Sequence, residues 1–162
     1  MKQIVIGQGV VDWVADHMKR GEGYGLSTGI GLVKDGELVA GVVYNEYNHC
    51  NINMHVAAIG RDWLTREYLW TCFDYPFNRC KVRRITGFVE DDNAAALRFD
   101  EHLGFKYETR LKDAYIHDDR VGDIIVLVMR REDCRWLDVK TKVTDAPLKR
   151  FLSNWQPTGL AA

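Results

Sequence analysis

The fold is decided by one stretch of the chain, Asp92-Asn93-Ala94-Ala95-Ala96-Leu97-Arg98-Phe99-Asp100-Glu101-His102-Leu103-Gly104-Phe105. It predicts a helix with a defined beginning and end. Asn93 is a preferred helix N-cap because its side chain can accept a hydrogen bond from a free amide of the first turn. Gly104 is typical of the residue that ends a helix in a left-handed conformation. The apolar run 84–89 precedes this segment and Phe105 follows it, so we expect strand, helix and strand in succession.

The rest of the chain alternates between two hydrophobic periods. Asp35-Gly36 lies between two β-rich runs and predicts a tight hairpin. Apolar residues at helical spacing predict a helix over 63–73, and Pro76 is expected to end it. In chain order, the predicted elements are a strand at 3–6, a helix at 10–18, strands at 28–34, 37–47 and 51–59, a helix at 63–73, a strand at 84–89, a helix at 93–103, and strands at 105–116 and 123–130.

This order predicts an α+β fold, a mixed and mostly antiparallel sheet with helices on its faces. A chain of 162 residues suits one domain. We expect that domain to span residues 1–137, and residues 138–162 to form a carboxyl-terminal extension. Leu148, Phe151, Leu152 and Trp155 would give that extension a short amphipathic helix. It could cap the sheet, cover a substrate cleft or join a dimer.

Composition excludes several classes of partner. The chain has 46% hydrophobic residues, 28% charged residues and a formal net charge of -1. That charge gives no general attraction to nucleic acid or to an anionic membrane, so neither is expected as a partner. No stretch approaches the roughly 20 apolar residues of a membrane span. The amino terminus lacks a leader signature, so we expect a cytoplasmic protein.

The cysteines predict neither a metal site nor a disulfide framework. They are widely spaced and form no CxxC pair. We expect reduced cytoplasmic thiols and no bound metal. The four are Cys50, Cys72, Cys80 and Cys134.

The order strand, Asn93, helix, Leu103-Gly104-Phe105 resembles the carboxyl half of the GCN5-related N-acetyltransferase (GNAT) family. The resemblance covers the chain from the first helix to Arg130. Within the family, the stretches 73–78 and 129–137 are similar to a subgroup found in bacteriophages and prophages. The resemblance implies the acyl-CoA N-acyltransferase fold, acetyl-CoA as co-substrate, and an acceptor that carries an amine.

The resemblance also places the cofactor site. In this family a glycine-rich loop before the helix after the fourth strand binds pyrophosphate through backbone amides. A helix amino terminus supplies such amides with a favourable dipole. The corresponding stretch 59–67 has only one glycine, Gly60, and carries bulky residues; a solvated helix start explains it equally well. The residues that we expect at the cofactor are Val56, Ala57, Arg61, Trp63, Leu64, Thr65, Arg66 and Asn93.

The candidates for proton transfer are a histidine, carboxylates and tyrosines. His55, on the predicted fourth strand, has an ordinary pKa near 6.5, which suits a general base. Its rivals are Glu46 on the third strand and Glu90 at the end of the fifth. Many relatives hold a tyrosine seven residues after the asparagine, where it protonates the leaving thiolate. Here that position is Asp100, either a helix-surface residue or a carboxyl whose pKa is raised by burial. Tyr107 or Tyr115 could substitute for the missing tyrosine.

The reading that unites these features is acetyl transfer from acetyl-CoA to an amine by direct attack. The acceptor could be a protein amino terminus, a lysine or a small amine, and a homodimer is possible. Two alternatives stay open: a GNAT-fold binding module without catalysis, and an enzyme that transfers a longer acyl group.

Overall fold

The computed structural model describes residues 1–138. In this part of the chain, a single seven-stranded sheet carries helices on both faces. The elements are β1 (Lys2–Ile6), α1 (Gln8–His17), β2 (Ser27–Lys34), β3 (Glu37–Asn45), β4 (Asn51–Ala58), α2 (Arg66–Asp74), a π-helical turn (Tyr75–Arg79), β5 (Arg84–Glu90), α3 (Ala94–Leu103), β6 (Lys106–His117), β7 (Arg120–Arg130) and two 3-10 turns (Arg131–Asp133 and Arg135–Asp138). The predicted order of helices and strands is confirmed.

The sheet has the order β1-β2-β3-β4-β5-β7-β6. Every neighbouring pair is antiparallel except β4 and β5, which run parallel. Parallel neighbours need a crossover connection, and here α2 and the π-helical turn supply it. The one parallel pair therefore lies in the middle of the sheet, where two antiparallel halves meet.

Local turn chemistry follows the sequence closely. Asp35 and Gly36 both have positive φ angles, 52° and 88°, as a type I′ hairpin turn requires. Asn93 caps α3 through its side chain, and Gly104 ends the helix with φ 115° in the left-handed region. These predictions are confirmed because each depends only on neighbouring residues.

Two hydrophobic cores lie on opposite faces of the sheet. The larger core packs under α2 and α3 and includes Phe73, Ile85 and Leu127. The smaller core packs under α1 around Val14 and Val43. The absence of side chains on β2 and β3 glycines lets α1 approach closely: a Cβ at Gly41 would lie 2.5 Å from Val14 Cγ2.

The structure differs from the sequence expectations around α2. The helix begins at Arg66 rather than at Trp63, because Thr65 caps it and Trp63 enters the core from the preceding loop. Pro76 does not end the helical path. It lies inside the continuous helical path from α2 into the π-helical turn. The Cys72 carbonyl, which the amide of an ordinary residue at this position would meet, accepts a hydrogen bond from Tyr44 Oη instead, so the missing amide costs little.

Residues 139–162 lie outside the described residues, and so does the predicted amphipathic helix at 148–155. Among residues 1–138, no helix combines the length and the apolar character that crossing a bilayer would require.

Candidate functional site

A gap opens in the middle of the sheet where β4 and β5 part. The two strands pair only over Asn51–Asn53 and Arg84–Thr86. β4 continues to Ala58 along β3, and β5 continues to Glu90 along β7. Among residues 1–138, the open part of each strand therefore has a backbone edge without a strand partner, and β4 amides on that edge can bind a ligand. The register of β4 with β3 runs without a shift, so the strands part without a bulge in β4.

The loop from β4 to α2 lies at the open end of this gap. Gly60 has a positive φ of 70°, which suits a sharp turn away from β4. Asp62 fixes the far side of the loop: Lys34 Nζ lies 2.8 Å from its carboxylate, and Lys2 Nζ donates to its carbonyl at 2.6 Å. The loop is thus attached to the β1–β2 edge of the sheet.

The amino end of α2 carries the features of an anion site. Thr65 Oγ1 accepts a hydrogen bond from the Tyr68 amide at 3.2 Å, so the side chain of Thr65 acts as the N-cap. Arg61 and Arg66 are exposed on either side of this cap. The amides of a first helical turn, together with two guanidinium groups, are suited to phosphate oxygens.

Trp63 belongs to the core. It is 7% exposed, and its ring lies 5.4 Å from that of Phe99 and 6.2 Å from that of Tyr68. Its bulk is therefore withdrawn from the loop surface, and it joins the loop to α3. Leu64 takes the opposite position and is 41% exposed.

Asn93 lies at the start of α3, immediately after the β5–α3 turn. Its Oδ1 accepts from the Ala96 amide at 3.1 Å, and its own amide donates to the Glu90 carbonyl. The residue is exposed. Its capping role is clear from this geometry, and its exposure leaves the amide nitrogen of the side chain open to a ligand.

His55 lies on the open part of β4, on the face that carries α1. Its Nε2 lies 2.9 Å from Asn45 Oδ1, and Asn45 Nδ2 donates to the Tyr24 carbonyl at 3.3 Å. Since Asn45 presents an oxygen to the ring, Nε2 carries the proton and Nδ1 is the nitrogen with a free lone pair. Burial, with a smaller effect of the Arg20 cation, lowers the pKa of His55 to about 4.

Asp100 lies on α3, two turns after Asn93. The side chain is partly buried, and the resulting loss of solvation raises the pKa of its carboxyl to about 7. Of the two possibilities that the sequence left open, the structure favours the buried carboxyl. Asp100 is thus a weak acid that is partly protonated at neutral pH.

The remaining proton-transfer candidates lie elsewhere. Glu46 is exposed just beyond β3, beside the end of β4 that is still paired with β5. Tyr107 is 62% exposed on the edge strand. Tyr115 donates to Asp91 at 3.0 Å, and partial burial together with this bond raises its pKa to about 12.

Val56 and Ala57 lie with His55 on the open part of β4, but on alternate faces. Val56 packs against the larger core and Ala57 against the smaller one. Since α3 covers the larger core and His55 contacts the α1 side, His55 and Asp100 lie on opposite faces, with the gap between them.

Sequence reasoning missed the groups around His55 that set its protonation state. Tyr24 is 5% exposed, and its ring lies 4.6 Å from that of His55. The Arg20 guanidinium stacks 4.8 Å from the same tyrosine ring. These residues come from the loop after α1, and nothing in their local spacing connects them with β4.

A pocket of about 440 Å³ opens at the carboxyl end of α1, next to Arg20. Its walls are polar and apolar in about equal parts and carry charges of both signs. The lining residues are Asp12, Ala15, Asp16, Lys19, Arg20, Gly21 and Gly23.

The four cysteines are thiols, and no disulfide joins any two of them within the described residues. Burial raises the pKa of the Cys72 thiol to about 12 and that of Cys80 to about 11. Thiols of this kind are poor nucleophiles and poor metal ligands at neutral pH. Residues 1–138 contain no group of three or more His, Cys, Asp or Glu placed to hold a metal ion.

Solved structures share this fold. The spermidine/spermine N-acetyltransferase SpeG from Vibrio cholerae in complex with manganese ions matches with a TM-score of 0.68 at 15% identity, over 86% of this chain and 97% of that chain. A dodecameric spermidine N-acetyltransferase from Vibrio cholerae in an intermediate state matches at 0.65 and 15%, over 80% and 95%. A probable acetyltransferase matches at 0.58 and 13%, over 75% and 68%.

The predicted GNAT acetyltransferase fold is therefore confirmed. At these identities the likeness concerns the fold. No protein-family model matches the chain, and no curated protein matches it. The resemblance to a phage and prophage subgroup stays a prediction.

Proposed function

We propose that this protein transfers an acetyl group from acetyl-CoA to an amine. The observation that carries the proposal is the gap between β4 and β5, which pair over three residues and then part. Such a gap offers a slot through the sheet, with the backbone edge of β4 on one side and β5, which leads to the start of α3, on the other. A thin, extended acyl-pantetheine arm fits a slot of this form.

The residues present fit a cofactor that carries a pyrophosphate. The amides at the start of α2, with Arg61 and Arg66, would hold the phosphates. The bulky loop residue Trp63 does not obstruct them, since its ring is buried. Asn93 and the open edge at Val56 and Ala57 would contact the arm. Leu64 is exposed beside the cap and would contact the cofactor's apolar parts.

The reaction needs no covalent enzyme intermediate. A neutral acceptor amine attacks the thioester carbonyl carbon, the new C–N bond forms, and the C–S bond breaks with the electron pair leaving on sulfur. The amine nitrogen gives up one proton, and the CoA thiolate takes one up. Amides of β4 near Val56 to Ala58 would stabilise the negative charge on the carbonyl oxygen.

Two groups divide these proton transfers between the faces of the sheet. Asp100, whose pKa is about 7, would protonate the leaving thiolate, since an acid with a pKa near the working pH is the most effective one. On the α1 side, Nδ1 of neutral His55 would accept a hydrogen bond from the incoming amine and orient its lone pair. With a pKa of about 4, His55 holds a proton too weakly to be the final base, so water would carry the proton away. Glu46 lies beside the paired end of the strands, and no step is assigned to it.

The acceptor would enter from the pocket at the carboxyl end of α1. Asp12 and Asp16 provide carboxylates there that can pair with an ammonium group at contact distance, while Lys19 and Arg20 balance their charge over the pocket as a whole. Spermidine N-acetyltransferases share the fold, which makes polyamines natural members of a test panel, beside amino-terminal peptides and lysine. Attachment of a longer acyl group would use the same slot, so acyl-CoA length belongs in the same panel.

A binding module without catalysis is the second candidate function. The observation in its favour is the loop 59–65, where Gly60 is the only glycine and Leu64 is exposed. This candidate and the enzyme differ in whether acetyl-CoA binds and turns over.

Calorimetry with acetyl-CoA, followed by release of CoA with the amine panel, tests the proposal. We expect micromolar binding and turnover with at least one amine. Arg66→Met should weaken binding about tenfold, the loss expected for one charge-assisted phosphate contact. Arg83→Met is the matched control, because Arg83 is exposed at the paired end of β5, away from the open gap. Absence of binding at millimolar acetyl-CoA would reject the enzyme, and binding without turnover would favour the module.

A further inference from the structure

The β5–α3 turn is fastened from outside the gap by charged side chains of the β6–β7 hairpin. The Asp91 carboxylate accepts from Arg110 Nη2 at 2.9 Å and from Tyr115 Oη at 3.0 Å. The Asp92 carboxylate accepts from Arg120 Nη1 at 2.7 Å. We call these residues, with Asp123, the hairpin clamp: Asp91, Asp92, Arg110, Tyr115, Arg120 and Asp123.

The clamp is interlinked. Arg120 Nη1 also donates to Tyr115 Oη at 2.6 Å, and Arg110 Nε donates to Asp123 at 2.6 Å. The carboxylate side chains of Asp91 and Asp123 are only 16% and 14% exposed. A network with partly buried acceptors holds its geometry better than an isolated surface pair, which contributes little.

The backbone of the hairpin is shaped to deliver Tyr115 to this turn. The pairing of β6 with β7 shifts between Leu111 and Tyr115. Within the shift, Asp113 has a positive φ of 52°, and its amide donates to Asp123 Oδ1 at 2.9 Å. Bulges of this kind re-aim side chains at functional regions.

Gly122 is the second feature that serves Tyr115. It lies opposite Tyr115 in the β6–β7 register, and a Cβ added to it would collide with the tyrosine ring. The ring lies across the strand only because this position has no side chain. A bulge and a glycine thus both contribute to one contact with Asp91.

We propose that the hairpin clamp positions Asn93 at the gap and so sets the affinity for acetyl-CoA, with Tyr115 and Arg120 as positioning residues. Asp91 and Asp92 immediately precede Asn93, and the Asp91 amide also donates to the Asp123 carbonyl at 2.9 Å. The hairpin side chains thereby fix both residues that lead into the cap of α3. The part of this inference that concerns acetyl-CoA rests on the proposed function; the part that concerns the turn does not.

Hydrogen exchange of the Asn93 and Ala96 amides tests the clamp without any cofactor. Both amides are hydrogen-bonded within the turn and cap, so they exchange only when the turn opens. We expect Arg120→Met and Gly122→Ala each to speed this exchange about fivefold, which is the size expected for losing a partly buried network. Lys106→Met is the matched control: it also removes one cation from the hairpin, but its partner is Asp133, away from the turn.

Binding of acetyl-CoA gives the second readout. We expect its Kd to rise about fivefold in Arg120→Met and Gly122→Ala, because the open turn must be closed before Asn93 can contact the cofactor. Arg120→Lys should recover part of the loss, since it keeps the charge and loses the fork of donors. The maximal rate at saturating cofactor should stay within about twofold, because closing the turn affects only the free enzyme.

The outcomes separate the two proposals. Unchanged exchange in Arg120→Met and Gly122→Ala, or an equal increase in Lys106→Met, overturns the clamp. Faster exchange with unchanged acetyl-CoA affinity overturns its role at the cofactor. If the wild type binds no acetyl-CoA, the proposed function fails, and hydrogen exchange still decides whether the clamp positions Asn93.

Discussion

Each face of the sheet at the gap holds one titratable side chain, and burial shifts the pKa values of the two in opposite directions. On the α1 face, burial lowers the pKa of His55 to about 4. On the α3 face, burial raises the pKa of Asp100 to about 7. The physical cause is the same, because a low-dielectric environment penalises whichever form carries charge.

The difference teaches which side of the gap can respond to pH near neutrality. His55 is neutral throughout the range from about pH 5 upward, so it offers a fixed lone pair and a fixed hydrogen bond to Asn45. Asp100 changes its protonation state within the working range. By residue type alone, His55 is the side chain expected to titrate near neutral pH, and in the structure Asp100 has that property instead.

The largest expected effect is on the pH dependence of stability through Asp100. Its folded-state pKa lies above the ordinary value of 3.8. The stability that protonated Asp100 provides is therefore present below about pH 4 and lost as pH rises through about 7. Relative to that of Asp100→Asn, the free energy of unfolding of the wild type should fall by at most about 4 kcal/mol over this range. Urea unfolding of both proteins from pH 4 to pH 8 measures the difference, and Glu101→Gln, an exposed neighbour, is the control. If the difference in unfolding free energy between wild type and Asp100→Asn stays constant with pH, the Asp100 carboxyl is solvent-exposed.

The second effect has the opposite sign. The folded-state pKa of His55 lies below its ordinary value of 6.5, so its contribution to stability is present above pH 6.5 and lost as pH falls through about 4. Relative to that of His55→Gln, the free energy of unfolding of the wild type should fall by up to about 3 kcal/mol on acidification. The same unfolding series measures it. The stability difference between wild type and variant should change with pH in opposite directions for Asp100→Asn and His55→Gln. If it changes in the same direction for both, the comparison between the two faces is wrong.

The third effect is on turnover. Asp100→Asn should lower the rate constant of acetyl transfer about a hundredfold, the lower part of the range for general acid catalysis. Because Asp100 acts when protonated, the wild-type rate should fall as pH rises above about 7, and this step should vanish in the variant. The pH–rate profile at saturating acetyl-CoA measures both, with unchanged acetyl-CoA affinity as the control. If the rate of Asp100→Asn still falls as pH rises above about 7, another group is the general acid.

The smallest effect concerns the pKa of His55 itself. Burial is the main cause of its low value, and Arg20 is the lesser cause. Arg20→Met should therefore raise the pKa of His55 by less than about one unit, leaving it below 6.5. NMR titration of the ring protons measures the change, and Lys19→Met, an exposed neighbouring cation, should leave it unaltered. A His55 pKa of 6.5 in Arg20→Met would show that the Arg20 charge, rather than burial, sets the pKa.

Much of the fold followed from local sequence features. The capped helix at Asn93, the left-handed end at Gly104 and the hairpin at Asp35-Gly36 depend on contacts within four residues. The place of Trp63 did not follow, because its apolar character suits a helix face and a core position equally. Pro76 was misread because its effect depends on whether its missing amide had an acceptor.

The candidate site divides in the same way. The sequence by itself determined which residues could titrate, bind phosphate or cap a helix, since these are properties of single side chains and of their nearest neighbours along the chain. Only the tertiary structure decided that β4 and β5 part after Asn53 and Thr86. It also decided that His55 is neutral and that Asp100 is partly protonated. Strand pairing and desolvation are set by residues distant in sequence, so no local pattern carries them.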